Sequence, residues 1–211
     1  ELANQINHLA VTELAKISKK NRINLVHIST DYVFDGEKDE PYLETDAPNP
    51  VNVYGKTKLA GEDAIRRIML TGAVIIRASW IYSEYGNNFV DTMLKLGKER
   101  DKVNVVHDQI GTPTYATDLA RTILVIAEKM KLNEITQTYH YSNGGQASWY
   151  EFANEIFKIA KVNCKVNPLK TSEYPTLAKR PKKTVMNKTK IEKRHLIEII
   201  PYRKSLEIIK K

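Results

Sequence analysis

Cysteine is nearly absent. The 211 residues contain one, Cys164, which excludes an internal disulfide and any multi-cysteine metal site and suits a reduced, cytoplasmic setting. Long apolar runs are missing as well. None approaches the roughly 18 to 20 residues that span a bilayer, so no membrane partner is expected. There is no internal repeat and no low-complexity linker. The first residue is Glu1 rather than methionine, so a preceding targeting segment stays open. What is present is ordinary globular composition, with 42% hydrophobic and 27% charged residues, enough for one domain or one domain with a small appendage.

The formal net charge is +8, and much of the excess sits in "AKRPKKTVMNKTK" (Ala178 to Lys190) and the C-terminal "IIKK". A solvated basic surface or a site for a small anion such as a nucleotide would both account for it. No aromatic interleaving or recognised module accompanies the charge, so nucleic acid is not an expected partner.

Periodicity gives alternating helices and strands. Leu2, Ile6, Leu9, Leu14 and Ile17 recur at helical spacing, and the β-branched "INLVHISTD" (Ile23 to Asp31) reads as a buried strand. A loop rich in Asp, Pro and Asn leads to a helix opening near Tyr54. A strand follows at Ala73 to Trp80, then a helix over 88–99, a strand at Lys102 to Val106, a helix over 117–130 and a strand at Thr138 to Asn143. Ser148 and Glu151 form a capping box that opens one more helix. Such alternation implies a parallel sheet with helices on its faces, and these sheets bind ligands beyond the carboxyl ends of their strands.

At the end of the first strand stand Ser29, Thr30 and Asp31, placed to hold a substrate. The following helix carries "YGKTK", with Tyr54 and Lys58 one turn apart on one face. A phenol ionises near pH 10, and a neighbouring cation favours its phenolate, so the pair predicts a tuned proton donor. Spacing alone favours a surface contact; the place of the pair after a strand ending in Ser-Thr is what points to chemistry.

The motifs "HISTDYVFDG", "YLETDAPNPVNVYGKTKLAGE", "IIRASWIYSEYGNNFVDTML", "VVHDQIGTPTYATDLA" and "AKRPKKT" occur in that order. With them the chain resembles the extended short-chain dehydrogenase/reductases, and within that superfamily the dTDP-4-dehydrorhamnose reductase family. The resemblance implies an α/β, Rossmann-like doubly wound parallel sheet (its C-terminal part) with a small substrate-binding α/β lobe. Residues 1–84 and 117–143 would be the remainder of the NAD(P)-binding domain, and residues 85–116 and 144–211 the lobe. It further implies NADPH or NADH as cofactor, a nucleotide-sugar substrate, reduction of its 4-keto group, and no metal; a homodimer stays open. Thr30, Tyr54 and Lys58 fall on catalytic positions, with Tyr54 and Lys58 also meeting the cofactor. Lys58 would hold the nicotinamide ribose and lower the Tyr54 pKa. Trp80 would pack against the sugar, Asn88 and Arg180 would contact the diphosphate, and Asp31, Gln109 and Thr114 would line the pocket. Core packing for Trp80, loop stabilisation for Asn88 and Arg180, capping for Asp31, and turn formation for Gln109 and Thr114 are the competing expectations.

The chain departs from the family pattern in having nothing like G-x-x-G-x-x-G, the turn that carries a dinucleotide's pyrophosphate. It begins as if inside the fold's fourth helix, with Asn7 at the place of a family asparagine, which predicts an incomplete sequence with an uncovered sheet edge. Two alternatives stand beside the reductase. A nucleotide-sugar dehydratase would carry an acidic pair after the threonine, but Thr30-Asp31 is followed by Tyr32. A non-catalytic binding relative, such as a methionine adenosyltransferase β subunit, would not need Tyr54 and Lys58.

Overall fold

A computed structural model describes residues 1–210, so the final lysine of "IIKK" lies outside the described residues. The N-terminal periodicity folds as one helical run, α1 (Leu2–Asn4), a π-helical turn (Gln5–Leu9) and α2 (Ala10–Asn21), ending at Arg22 in the left-handed region. β1 (Leu25–Thr30) and a tight 3-10 turn (Asp31–Val33) follow, then the long loop and α3 (Val53–Ile68). Next come β2 (Ala73–Ala78), β3 (Ile81–Tyr82), α4 (Phe89–Glu99), β4 (Lys102–Val106), β5 (Ile110–Gly111), β6 (Thr114–Tyr115) and α5 (Ala116–Lys129). β7 (Gln137–Tyr141), β8 (Ala147–Ser148), α6 (Trp149–Ala160), β9 (Lys165–Leu169), α7 (Thr189–His195) and α8 (Tyr202–Leu206) come after them.

The main sheet is parallel, in the order β1-β2-β7. β2 is central and buried along its whole length, and its alternating side chains divide between two cores. Ala73 and Ile75 meet Val11 and Ala15 of α2, Ile65 of α3 and Met69 just after it, whereas Val74 and Ile76 meet Leu119, Ile126 and Ile191 of α5 and α7. Helices therefore cover both faces, the doubly wound arrangement that the alternation predicts. β1 lies at the edge, and only its last two residues, Ser29 and Thr30, are buried.

The smaller lobe has its own core. β4 and β9 pair in parallel, and Val103, Val105 and Val166 pack with Val90 and Met93 of α4 and with Phe152 and Ile156 of α6. Ser148 and Glu151 make the expected capping box. Within the segment expected to belong to the lobe, Ile191, Ile197 and Ile199 pack instead against the sheet, so the chain returns to its starting layer.

A buried ion pair fastens α3 to the sheet. Glu62 of α3, fully buried, accepts from Arg77 Nε at 3.0 Å and Nη2 at 2.8 Å on β2, and from Arg66 Nη2 at 2.6 Å. Burial pushes the Glu62 carboxyl up, but the bonds and charge of Arg77, with Arg66, prevail and hold it below its ordinary value. Glu62 lies one turn after Lys58, so the pair fixes the helix that carries Tyr54 and Lys58.

Candidate functional site

The carboxyl end of β1 and the start of α3 converge because a glycine permits it. A Cβ on Gly55 would stand 2.1 Å from the Tyr32 carbonyl oxygen, so only glycine lets α3 press against the 3-10 turn. Asn52 caps the helix by accepting from the Gly55 N–H at 2.8 Å, and its amide donates to the Lys179 carbonyl at 2.9 Å. That second bond draws the "AKRP" segment to the site. The result is a cavity of about 580 Å³ lined by Ser29, Thr30, Asp31, Tyr32, Tyr54, Lys58, Trp80 and Trp149, among others.

Thr30 donates to Asp31 Oδ1 at 3.1 Å and accepts from the Tyr32 N–H at 3.2 Å, which fixes its hydroxyl. Burial pushes the half-exposed Tyr54 phenol above its ordinary pKa, and the Asp31 charge adds to this while the neighbouring Thr30 hydroxyl opposes it. The phenol is thus protonated near neutrality, the form a general acid needs. The expected influence of Lys58 is not what shifts it. The Lys58 ammonium instead donates to the Ile28 carbonyl at 2.6 Å and lies 3.4 Å from His27 Nε2. Burial lowers its pKa and Glu62 partly restores it. His27 is depressed to about 4, by burial first and then by Lys58, and so stays neutral as an acceptor for that ammonium. Burial raises Asp31 to about 6 against the hydrogen bonds from Thr184 and Thr30. Its side chain is taken up by those two hydroxyls.

The remaining predicted residues divide. Gln109 and Arg180 line a second cavity of about 390 Å³, beside the first, together with Asn104, Tyr174 and Trp149. Gln109 is anchored by donating to Thr171 Oγ1 at 3.0 Å. Arg180 is exposed, and its charge reaches Tyr32, whose ring meets that of Tyr54 edge-on at 5.9 Å. Asn88 does not offer its side chain to a ligand: Oδ1 caps α4 through the N–H groups of Val90 and Asp91, and Nδ2 donates to the Ser83 carbonyl at 2.9 Å. Thr114 is fully buried on β6, where its backbone N–H donates to the Trp80 carbonyl and its hydroxyl is enclosed, because the short β3–β6 pairing turns it inward. Trp80 does line the cavity that holds Thr30, Tyr54 and Lys58. It sits at φ +47°, a left-handed conformation costly for a bulky residue. Sequence reasoning overlooked His27, Glu62 and Trp149 as site residues. An acid four residues after Lys58, and an arginine inside the apolar strand "AVIIRASW", were the available signals for the buried pair.

The family model described as "RmlD substrate binding domain" matches residues 1–211. The chain is 42% identical to the dTDP-4-dehydrorhamnose reductase of Aggregatibacter actinomycetemcomitans, over 99% of this chain and 73% of that protein. It is 40% identical to the Escherichia coli enzyme of the same name, over 91% of this chain and 66% of that protein. It therefore spans about two thirds to three quarters of these relatives' length. A dTDP-4-dehydrorhamnose reductase structure from Clostridium acetobutylicum superposes with a TM-score of 0.92 at 42% identity, covering 98% of this chain and 72% of that one. The Bacillus anthracis reductase, solved in complex with NADP, also gives 0.92, at 39% identity and with the same coverage. With Tyr54, Lys58 and Thr30 gathered at one strand end, the chain belongs to the RmlD substrate-binding-domain family, that of the dTDP-4-dehydrorhamnose reductases.

Proposed function

We propose that this chain provides the substrate site and proton-transfer residues for NAD(P)H-dependent reduction of dTDP-4-dehydro-L-rhamnose to dTDP-L-rhamnose, in a cytoplasmic setting. The observation that carries this is the convergence of Thr30, Tyr54 and Lys58 in one cavity, beside a second cavity lined by Arg180. The nucleotide's diphosphate lies near Arg180, where a guanidinium pairs well with phosphate. That placement directs the sugar's 4-keto oxygen toward Thr30 and Tyr54.

A reduced nicotinamide, when bound, supplies the hydride to C4. Tyr54 gives its phenolic proton to the oxygen on which negative charge develops, yielding the alcohol, and Thr30, by turning its one hydroxyl proton from Asp31 Oδ1 to that oxygen, orients it. The Lys58 ammonium has three donors and is bonded to one carbonyl and one imidazole, so a donor remains for a ribose hydroxyl. The nicotinamide end of the cofactor therefore fits the residues present. The relative solved with NADP favours NADPH.

The test is a hybrid in which the glycine-rich segment of a full-length relative precedes Glu1. With dTDP-4-dehydro-L-rhamnose it should oxidise NADPH, seen by absorbance, and form dTDP-L-rhamnose. Nucleotide-sugar binding without turnover would instead support the binding-subunit alternative.

A further inference from the structure

The chain has two tryptophans, and they lie against each other. The Trp80 and Trp149 rings stack with centroids 3.5 Å apart and planes 9° from parallel. The opposite face of Trp80 is covered too. A Cβ built on Gly111 would fall 2.6 Å from Trp80 Cε2 and 2.8 Å from both Cζ2 and Nε1. Near-equal distances to three adjoining ring atoms put Gly111 over the ring face rather than at its edge. Trp80 therefore has no free face for a sugar while Trp149 is stacked on it.

The two coverings differ in permanence. Gly111 is backbone in a strand paired with Ala147 of β8, and it cannot withdraw without breaking that pairing. Trp149 is the first residue of α6, with its backbone held by the Ser148 cap, but its side chain is only partly buried and rests on rings: Trp80, Phe89 at 4.5 Å and Phe152 at 6.4 Å. It is also the residue common to both cavities described above. A nucleotide sugar reaching from Arg180 to Tyr54 must pass it.

We propose that Trp149 is a specificity-determining residue whose indole occupies the sugar-packing face of Trp80 and is displaced toward Phe89 when the nucleotide sugar binds. This rests on the reductase assignment above. Displacement exchanges an indole–indole stack for a sugar–indole stack. Only a ligand that carries a sugar with an apolar face offsets the loss, and the nucleoside diphosphate alone does not.

The experiment titrates the purified chain with dTDP and with dTDP-L-rhamnose by calorimetry, while circular dichroism follows the exciton signal of the tryptophan pair. In the wild-type chain dTDP-L-rhamnose should abolish that signal and dTDP should leave it. Trp149→Leu and the milder Trp149→Phe, each checked by thermal unfolding, should bind dTDP-L-rhamnose about three- to tenfold more tightly, the scale of one aromatic stack, with dTDP affinity unchanged. A merely structural Trp149 would weaken both ligands instead. A signal that persists in the saturated dTDP-L-rhamnose complex, or variants that bind it no more tightly, overturns the displacement and leaves the reductase assignment standing. Absence of binding by either ligand overturns both.

Discussion

On the sheet side of the Tyr54 cavity, Thr30, Asp31 and Lys58 are each held by hydrogen bonds to a strand end or its turn, while on the opposite side the side chains of Trp80 and Trp149 rest on other rings. The difference follows from what each side must do. Proton transfer needs a donor within hydrogen-bond reach, and reach is kept only by groups anchored in rigid elements. Accommodation of a sugar needs packing that can be exchanged, and ring contacts without hydrogen bonds are exchanged at low cost. The buried Glu62–Arg77 pair lies behind the anchored wall and, among the described residues, is the ion pair buried on both sides.

Removing that pair should break the contrast most severely. Glu62→Ala leaves the Arg77 guanidinium buried without its carboxylate, and should cost about 3–5 kcal/mol of unfolding free energy, measured in urea. On the aromatic wall, Trp149→Phe should cost about 1.5 kcal/mol or less. Equal losses would mean that the two walls are alike in rigidity.

Acid should act on the anchored wall next. His140 is fully buried and depressed to about 3, and His27 to about 4, so both contribute stability that is complete above pH 6.5 and is lost as pH falls. Asp31, raised to about 6, works in the opposite sense: its contribution is present below about pH 4 and is lost as pH rises through 6. Two imidazoles outweigh one carboxyl, so the melting temperature should drop between pH 7 and 4. His140→Gln keeps a donor for the Tyr42 carbonyl and should shrink that drop. An unaltered pH profile in the variant would show that His140 titrates normally.

A smaller effect sharpens the division within the anchored wall. Lys58→Met in the hybrid should weaken NADPH binding about tenfold or somewhat more, the worth of a charged hydrogen bond. In the ligand-free chain it should leave the Tyr54 titration in place, because Lys58 bonds to Ile28 and His27 rather than to the phenol. A Tyr54 pKa that rises on this substitution would restore the direct tuning expected from the Y-x-x-x-K spacing.

Most of the fold was legible because its signals are local. The β-branched run before Thr30, the Ser148–Glu151 box and the amphipathic runs of α4 and α5 lie within one or two turns of chain. β9 was missed because Pro168 interrupts its pattern. Among the described residues it pairs with β4 alone, and a strand bonded on one side tolerates proline. Tyr54, Lys58 and Thr30 were legible through motif order, but what each hydrogen-bonds was not. Asn88 was read as a diphosphate contact although its place immediately before the helix at Phe89 is a capping signature. Trp149 escaped notice because its partner lies far away in sequence, at Trp80, and no spacing rule links them.

The central claim, that Tyr54 is the general acid of a reductase whose sugar site lies in this chain, is tested most directly by Tyr54→Phe in the hybrid. The measurement pairs the single-turnover rate of NADPH oxidation with the dissociation constant of dTDP-L-rhamnose. Loss of one hydroxyl should lower the rate by about 10² to 10⁴ while binding stays within a few-fold of wild type. Near-native turnover would contradict the assignment of the proton, and a rate loss fully explained by lost binding would make Tyr54 a binding residue only.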